Sequence, residues 1–137
     1  MTKKIREVMT PAPETIGADR PVAEAAKKMK EADAGMIPVM TNGSLVGTVT
    51  DRDIALRIVA EGKDPQSTLV GEIASTDLVT VAPDEDLDVA LQKMAKHQVR
   101  RLPVVENGRL IGVVAQADVA REGDEKDVGH TVEEISK

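Results

Sequence analysis

The sequence predicts an α+β fold of two β-α-β-β-α repeats related by pseudo-two-fold symmetry, and three observations carry that expectation. A block recurs 65 positions later without a gap: Pro38 and Val39 return as Pro103 and Val104, Gly47 as Gly112, Asp53 as Asp118, and Met29 as Met94. Both copies place an Asn-Gly pair, Asn42-Gly43 and Asn107-Gly108, between two short apolar runs; that dipeptide accepts the positive φ values of a tight hairpin. Ahead of each hairpin, apolar residues recur at helical spacing. One such unit cannot bury its own apolar face, so two copies are expected to close on each other, whereas an extended solenoid needs at least three.

In the first copy Val22, Ala25, Ala26 and Met29 trace a helix from Pro21 to about Asp33. Pro21 fits the first turn, where its missing N–H removes no bond. Met36–Met40 and Leu45–Thr50 read as hairpin strands. A second helix follows from Asp51 to about Ala60, carrying Ile54, Ile58 and Val59 and stopped by Gly62. The second copy repeats the plan, with a helix over Asp86–His97, strands near Leu102–Val105 and Leu110–Ala115, and a helix from Gln116. Short leading strands are expected near Glu14–Gly17 and Leu78–Val81, after the amphipathic segments Ile5–Met9 and Val70–Ala74. The boundaries that follow are 5–61 for repeat one, 62–68 for a polar linker and 69–122 for repeat two. Residues 123–137 read as an acidic, mobile tail with a weak helix at Val132–Ser136.

Hydrophobic residues make up 41% of the 137-residue chain, yet Phe, Tyr and Trp are absent, so the core must be filled by Val, Leu, Ile, Ala and six Met. No apolar run approaches the roughly 20 residues of a bilayer span. The charged start, with Lys3, Lys4, Arg6 and Glu7, lacks the apolar stretch of a secretory signal. A soluble cytoplasmic protein is the expectation. Without Cys there is no disulfide, thiolate metal site or cysteine nucleophile. A formal net charge of −6 disfavours non-specific nucleic-acid binding, and the missing aromatics remove the platforms on which single-stranded bases stack. Neither nucleic acid nor membrane is an expected partner.

The copies diverge where a ligand could be held: Thr50 becomes Ala115, while Asp53 is kept as Asp118. Thr50-x-x-Asp53 fits a helix N-cap with reciprocal side-chain-to-backbone bonds. The same hydroxyl and carboxylate could also grip a polar ligand, and the two roles can coexist. Arg100 and Arg101 stand where the first copy has Gly35 and Met36. They are either guanidinium forks for phosphate or solvated charges paired with Glu106 or the tail. His97 lies late on a helix, where it caps or packs, and His130 lies in the tail; the two are not at metal-ligand spacing. The acidic run Asp84–Asp88 lacks the central Gly and distal Glu of a calcium loop, and its charge suits a helix start. Gly43–Gly47 is neither a phosphate-binding loop nor a dinucleotide fingerprint. No nucleophile–base constellation is visible, so an enzyme is not expected.

Taken in order, the Ile37–Val39 and Leu102–Val104 strands with their central Pro, the Asn-Gly turns and the run Gly47–Asp53 resemble paired cystathionine β-synthase (CBS) domains over residues 5–122. Thr50–Ile54, Gly62–Pro65 and His97–Val104 look most like small stand-alone CBS proteins of the bacterial hypoxic-response type. The resemblance implies a tandem CBS-domain pair, a disc-like module with two clefts between the copies, in which many members hold adenosine nucleotides and some hold nothing known. It also implies roles. Asp53 would accept hydrogen bonds from both ribose hydroxyls, and Thr50 would donate to phosphate. Asp51 and Arg52 would offer backbone N–H groups at a helix start, whose positive end favours an anion. Ala74, Leu78 and Val99 would wall the adenine, and Arg100 and Arg101 would neutralise phosphate. Asp118 serves a second cleft that lacks the hydroxyl; that cleft binds a nucleoside, binds poorly or stays empty.

The leading expectation is therefore a non-catalytic regulatory module for an adenosine nucleotide, AMP, ADP or ATP, with no obligatory cofactor and no metal. It would signal through conformation or through contacts with an unidentified protein partner, and form a homodimer through apolar helix faces. The alternative is a ligand-free structural or interaction module in which Thr50 only caps a helix.

Overall fold

The computed structural model describes residues 3–122, so the expected acidic tail, its weak helix and His130 lie outside the described residues. The chain packs as two compact units, one formed by Pro13–Leu78 and the other by the described residues before and after it. This packing divides the chain differently from the sequence period. Each repeat's leading segment joins the unit built mainly by the other repeat.

Strand β1 (Thr10–Pro11) belongs to the second unit, and in the first the order runs β2 (Ile16–Gly17), α1 (Val22–Ala32), β3 (Met36–Thr41), β4 (Ser44–Thr50), α2 (Asp51–Ile54) with a π-helical continuation over Ala55–Val59, and α3 (Val70–Ile73). Strand β3 lies in the centre, parallel to β2 and antiparallel to β4. Beyond β4 the segment after α3 adds one more rung, with Thr48 N donating to Ser75 O at 3.0 Å and Ser75 N to Thr48 O at 2.8 Å. Gly47 makes that approach possible, because a methyl there would sit 2.5 Å from the Ser75 carbonyl oxygen. The apolar faces of these elements meet in a cluster that includes Ile16, Val22, Met29, Ile37, Val49 and Ile58, closed by Val70 and Ile73 from repeat two.

The second unit reproduces the plan with β1 (Thr10–Pro11), α4 (Leu87–His97), β5 (Arg101–Glu106), β6 (Arg109–Ala115) and α5 (Gln116–Glu122), preceded by a 3-10 turn at Ile5–Glu7. The sheet order is β1-β6-β5. Here repeat one supplies the added rung: Thr10 pairs with Val113 and Pro11 with Gly112. Ile5, fully buried, closes a cluster that includes Val81, Leu87, Met94, Leu102, Val114 and Val119. Both hairpin turns have positive φ at Asn and Gly, 51° and 79° at Asn42 and Gly43, 52° and 76° at Asn107 and Gly108. Both hairpins also shift register at equivalent points, Val39/Met40 and Val104/Val105.

Four features differ from the sequence expectation. The leading strand expected at Leu78–Val81 is a single parallel bridge from Val81 to Val104; the Thr80 carbonyl accepts instead from a side chain, Lys93 Nζ at 2.6 Å. Strand β1 was not expected, since two residues including a Pro carry no readable period. The second helix of the first copy changes to π geometry after Ile54, closed by Ala60 N donating to Ala55 O at 2.9 Å. Finally, each unit has its own buried cluster, closed by a short leading segment from the other repeat: Ile5 in one, Val70 and Ile73 in the other.

Candidate functional site

Thr50 ends β4 in extended conformation, φ −118° and ψ 164°, and caps α2. Its hydroxyl accepts from Asp53 N at 3.0 Å, while Asp53 Oδ2 accepts from Thr50 N at 2.9 Å. The capping reading is therefore correct, and it leaves groups over. A hydroxyl that accepts still has its own proton to donate. The other carboxylate oxygen, Asp53 Oδ1, faces Arg57 Nε at 3.9 Å, an ion pair too long for a hydrogen bond. The Asp53 side chain is 15% exposed, so this oxygen sits at a half-sheltered surface. Arg57 is held by donating to Ile73 O at 3.0 Å.

The first-turn N–H groups, expected to face an anion, are taken within the chain. Asp51 N donates to Gly35 O at 3.0 Å. Arg52 N donates to Asp51 Oδ1 at 2.8 Å, so a phosphate would have to displace the exposed Asp51 carboxylate to reach it. Ala74 and Leu78 belong to the same unit as Thr50 and Asp53. Half-buried Ala74 lies beside Gly47, with its Cβ 3.6 Å from where a Gly47 methyl would stand, whereas Leu78 is 39% exposed.

The equivalent position in the second unit has a different bonding state. Asp118 Oδ2 accepts from Ala115 N at 3.1 Å, and Oδ1 accepts from Arg121 Nη2 at 2.6 Å. Both carboxylate oxygens are engaged, and Ala115 has no hydroxyl. Gln116 N donates to Arg100 O at 2.8 Å, matching the Asp51–Gly35 bond, while Gln116 Nε2 is buried without a hydrogen-bond partner. Arg101 pairs in register with Ala115, so the basic pair lies beside the second copy's motif. Val99 belongs to this unit and packs at the edge of its core. The alternative partner for the basic pair is in use elsewhere: Glu106 accepts from Arg6 at 2.6 Å.

The ten candidate residues thus divide between the units: Thr50, Asp51, Arg52, Asp53, Ala74 and Leu78 in the first, Val99, Arg100, Arg101 and Asp118 in the second. Sequence reasoning missed Arg57 and Arg121, which face the second oxygens of the two Asp carboxylates at 3.9 and 2.6 Å. Their spacings, four and three residues after the Asp, were a readable helical signal. Among the described residues no group of His, Asp and Glu side chains could hold a metal ion, and no helix is long and apolar enough to cross a membrane.

The chain is similar in sequence and in fold to known proteins. The family described as CBS domain matches residues 5–60 and 70–125. The CBS domain-containing protein YhcV of Bacillus subtilis is 46% identical over 116 residues, covering 85% of this chain and 82% of that protein. Hypoxic response protein 1 of Mycobacterium tuberculosis is 36% identical over 117 residues, with the same coverage of 85% and 82%. A crystal structure of hypoxic response protein I with two coordinated zinc ions matches at a TM-score of 0.81 and 34% identity, over 89% of this chain and 100% of that one. The CBS domain pair of protein MJ0100, in complex with 5′-methylthioadenosine and S-adenosyl-L-methionine, matches at a TM-score of 0.81 and 28% identity, over 88% and 95%.

Proposed function

The chain belongs to the CBS-domain family as a tandem pair, and from that premise we propose that it is a non-catalytic, cytoplasmic regulatory module that binds an adenosine nucleotide at the Thr50–Asp53 segment. It signals through conformation or partner contacts and works as a homodimer. One observation carries the choice of segment. Asp53 retains a carboxylate oxygen without a hydrogen bond beside a hydroxyl with a proton to donate, whereas both oxygens of Asp118 are bonded and position 115 has no hydroxyl. Vicinal ribose hydroxyls are donors that suit the first arrangement, and a phosphate oxygen is an acceptor that suits the Thr50 proton. A similar CBS pair has been solved with two adenosine-containing ligands, which supports the ligand class.

A ligand-free interaction module is the second reading. In its favour, the cap and the first-turn N–H groups are satisfied without any ligand. Calorimetric titration with AMP, ADP, ATP, S-adenosylmethionine and adenosine separates the two; calorimetry is suited because the chain has no Trp or Tyr to report by fluorescence. Saturable heat in the wild type that is lost in a folded Asp53→Ala variant is the expected result. No heat and no thermal shift across the panel leaves the interaction module.

A further inference from the structure

Arg57 stands between the Thr50–Asp53 cap and the leading segment that repeat two contributes to the first unit. Its Nη1 donates at 3.0 Å to the carbonyl of Ile73, the last residue of α3. Carbonyls at a helix end lack intrahelical partners, and a cationic side chain is favoured there. Held on that carbonyl, Arg57 keeps Nε at 3.9 Å from Asp53 Oδ1, and moving about 1 Å closer would make a hydrogen bond. Arg57 lies in the π-helical stretch Ala55–Val59, whereas α5 is α-helical through the equivalent Glu122. Such π insertions are frequent at functional sites. In the second unit two residues divide the work. Arg121 closes on Asp118 Oδ1 at 2.6 Å. Glu122, which aligns with Arg57, ties the helix to the other repeat's leading segment through Lys3 at 2.7 Å. The first unit gives both tasks to one guanidinium.

We propose that Arg57 is the positioning residue that couples occupancy of Asp53 to docking of the Val70–Ser75 segment. When the segment undocks, Arg57 loses the Ile73 carbonyl and moves onto Asp53 Oδ1, closing that carboxylate as Arg121 closes Asp118. A ribose hydroxyl on Oδ1 removes this second partner, so bound ligand makes undocking less favourable. The linkage is reciprocal: a docked segment keeps Asp53 open for ligand. Beyond this segment the chain passes into the second unit at Val79. Ligand in one unit thus changes the hold on the stretch that leads to the other. This inference rests on the nucleotide reading and supplies its route from binding to conformation.

Hydrogen exchange at the Ala74 and Ser75 amides tests it. They donate to Val70 O and Thr48 O, so both report undocking of the segment. The wild type is measured free and saturated with AMP, ADP, ATP, S-adenosylmethionine or adenosine, each of which presents the same two ribose hydroxyls. Ligand should slow these amides by about fivefold or more beyond its effect on the amides of β3. Arg57→Ala should stay folded, since that side chain is 54% exposed, and should still give saturable heat. Its Ala74 and Ser75 amides should respond to ligand no more than β3 does. Arg57→Gln, which drops the charge and keeps most of the stem, gives the same readout if the Ala variant does not fold. Arg57→Lys keeps a cation for the Ile73 carbonyl and should restore part of the extra protection. A merely structural role would lower protection equally with and without ligand. No heat from any of these ligands in the wild type overturns the nucleotide reading and this inference together. Saturable heat without extra protection at Ala74 and Ser75 overturns the coupling alone, as does a folded Arg57→Ala that keeps the full ligand response.

Discussion

Asp53 and Asp118 hold the same place in their repeats and make the same backbone bond, to the residue three positions earlier. Their second oxygens differ, since Arg57 stands off at 3.9 Å whereas Arg121 binds at 2.6 Å. Asp53→Ala should therefore weaken nucleotide binding by about 1.5–3 kcal/mol, the range for hydrogen bonds to a charged group. Asp118→Ala should weaken it much less in the same titration. Thr50→Ala should weaken phosphorylated ligands more than adenosine, because the hydroxyl addresses phosphate. Thermal melts must accompany these titrations, since loss of the cap itself costs about 1 kcal/mol of stability. Equal loss for adenosine and AMP in Thr50→Ala would return that residue to capping alone.

At the scale of elements, each last hairpin strand accepts a rung from the other repeat's leading segment, and a glycine keeps the gap open. Gly47→Ala would drive a methyl into the Ser75 carbonyl, so it should destabilise by about 1–3 kcal/mol, typical of overpacking. The loss should appear as faster hydrogen exchange at Thr48 and Ser75, the two amides of that rung. Gly43→Ala meets nothing within 4 Å and suffers only from its φ of 79°, so it should leave those two amides protected. The leading segments are also held by different forces. In the second unit Lys3 pairs with Glu122, Lys4 with Asp86, and Arg6 with Asp84 and Glu106. The hydrogen bond from Lys3, then its charge, keeps the Glu122 carboxyl below the usual carboxylate range. A carboxyl depressed in the folded state stabilises above its unfolded pKa, and that contribution disappears as pH falls through the folded value. Acid, or high salt, should therefore lower protection of the Ile5 amide relative to that of Val70, whose segment lacks these pairs. Equal protection of the two amides under both conditions would show that the ion pairs do not hold the segment.

Across the whole molecule, each repeat completes the other's unit. Ile5 precedes the first unit in sequence but is fully buried in the second unit's core. Ile5→Ala should cost about 2–5 kcal/mol, as for other buried Ile truncations. Hydrogen exchange should localise the loss to Val81–Val119 rather than to the repeat that contains Ile5. The converse holds for Val70→Ala, whose side chain closes the first unit's core. If Ile5→Ala instead loosens the Val22–Ile58 elements, the division into units is wrong. Expected boundaries at 5–61 and 69–122 follow the sequence period, and periodicity records which segments are alike rather than which segments touch.

The sequence by itself determined the elements whose causes are local. The Asn-Gly turns needed only two residues that accept positive φ, the helices needed only their apolar period, and the Thr50–Asp53 cap needed only three-residue spacing. Duplication of these signals identified the fold class and the CBS family, and the loss of the hydroxyl at Ala115 marked the asymmetry of the candidate sites. Only the tertiary structure decided the rest. Strand β1 and the Val81 bridge exist because distant backbone arrives beside them. The π turn trades local geometry for burial of Ile58. Arg101 stands beside Ala115 through strand register, and Arg6 takes Glu106 because Ile5 anchors its segment in that core. Local periodicity is set by the bonds of the chain to itself nearby; these features depend on which surfaces meet, and pairing across long separations leaves no period to read.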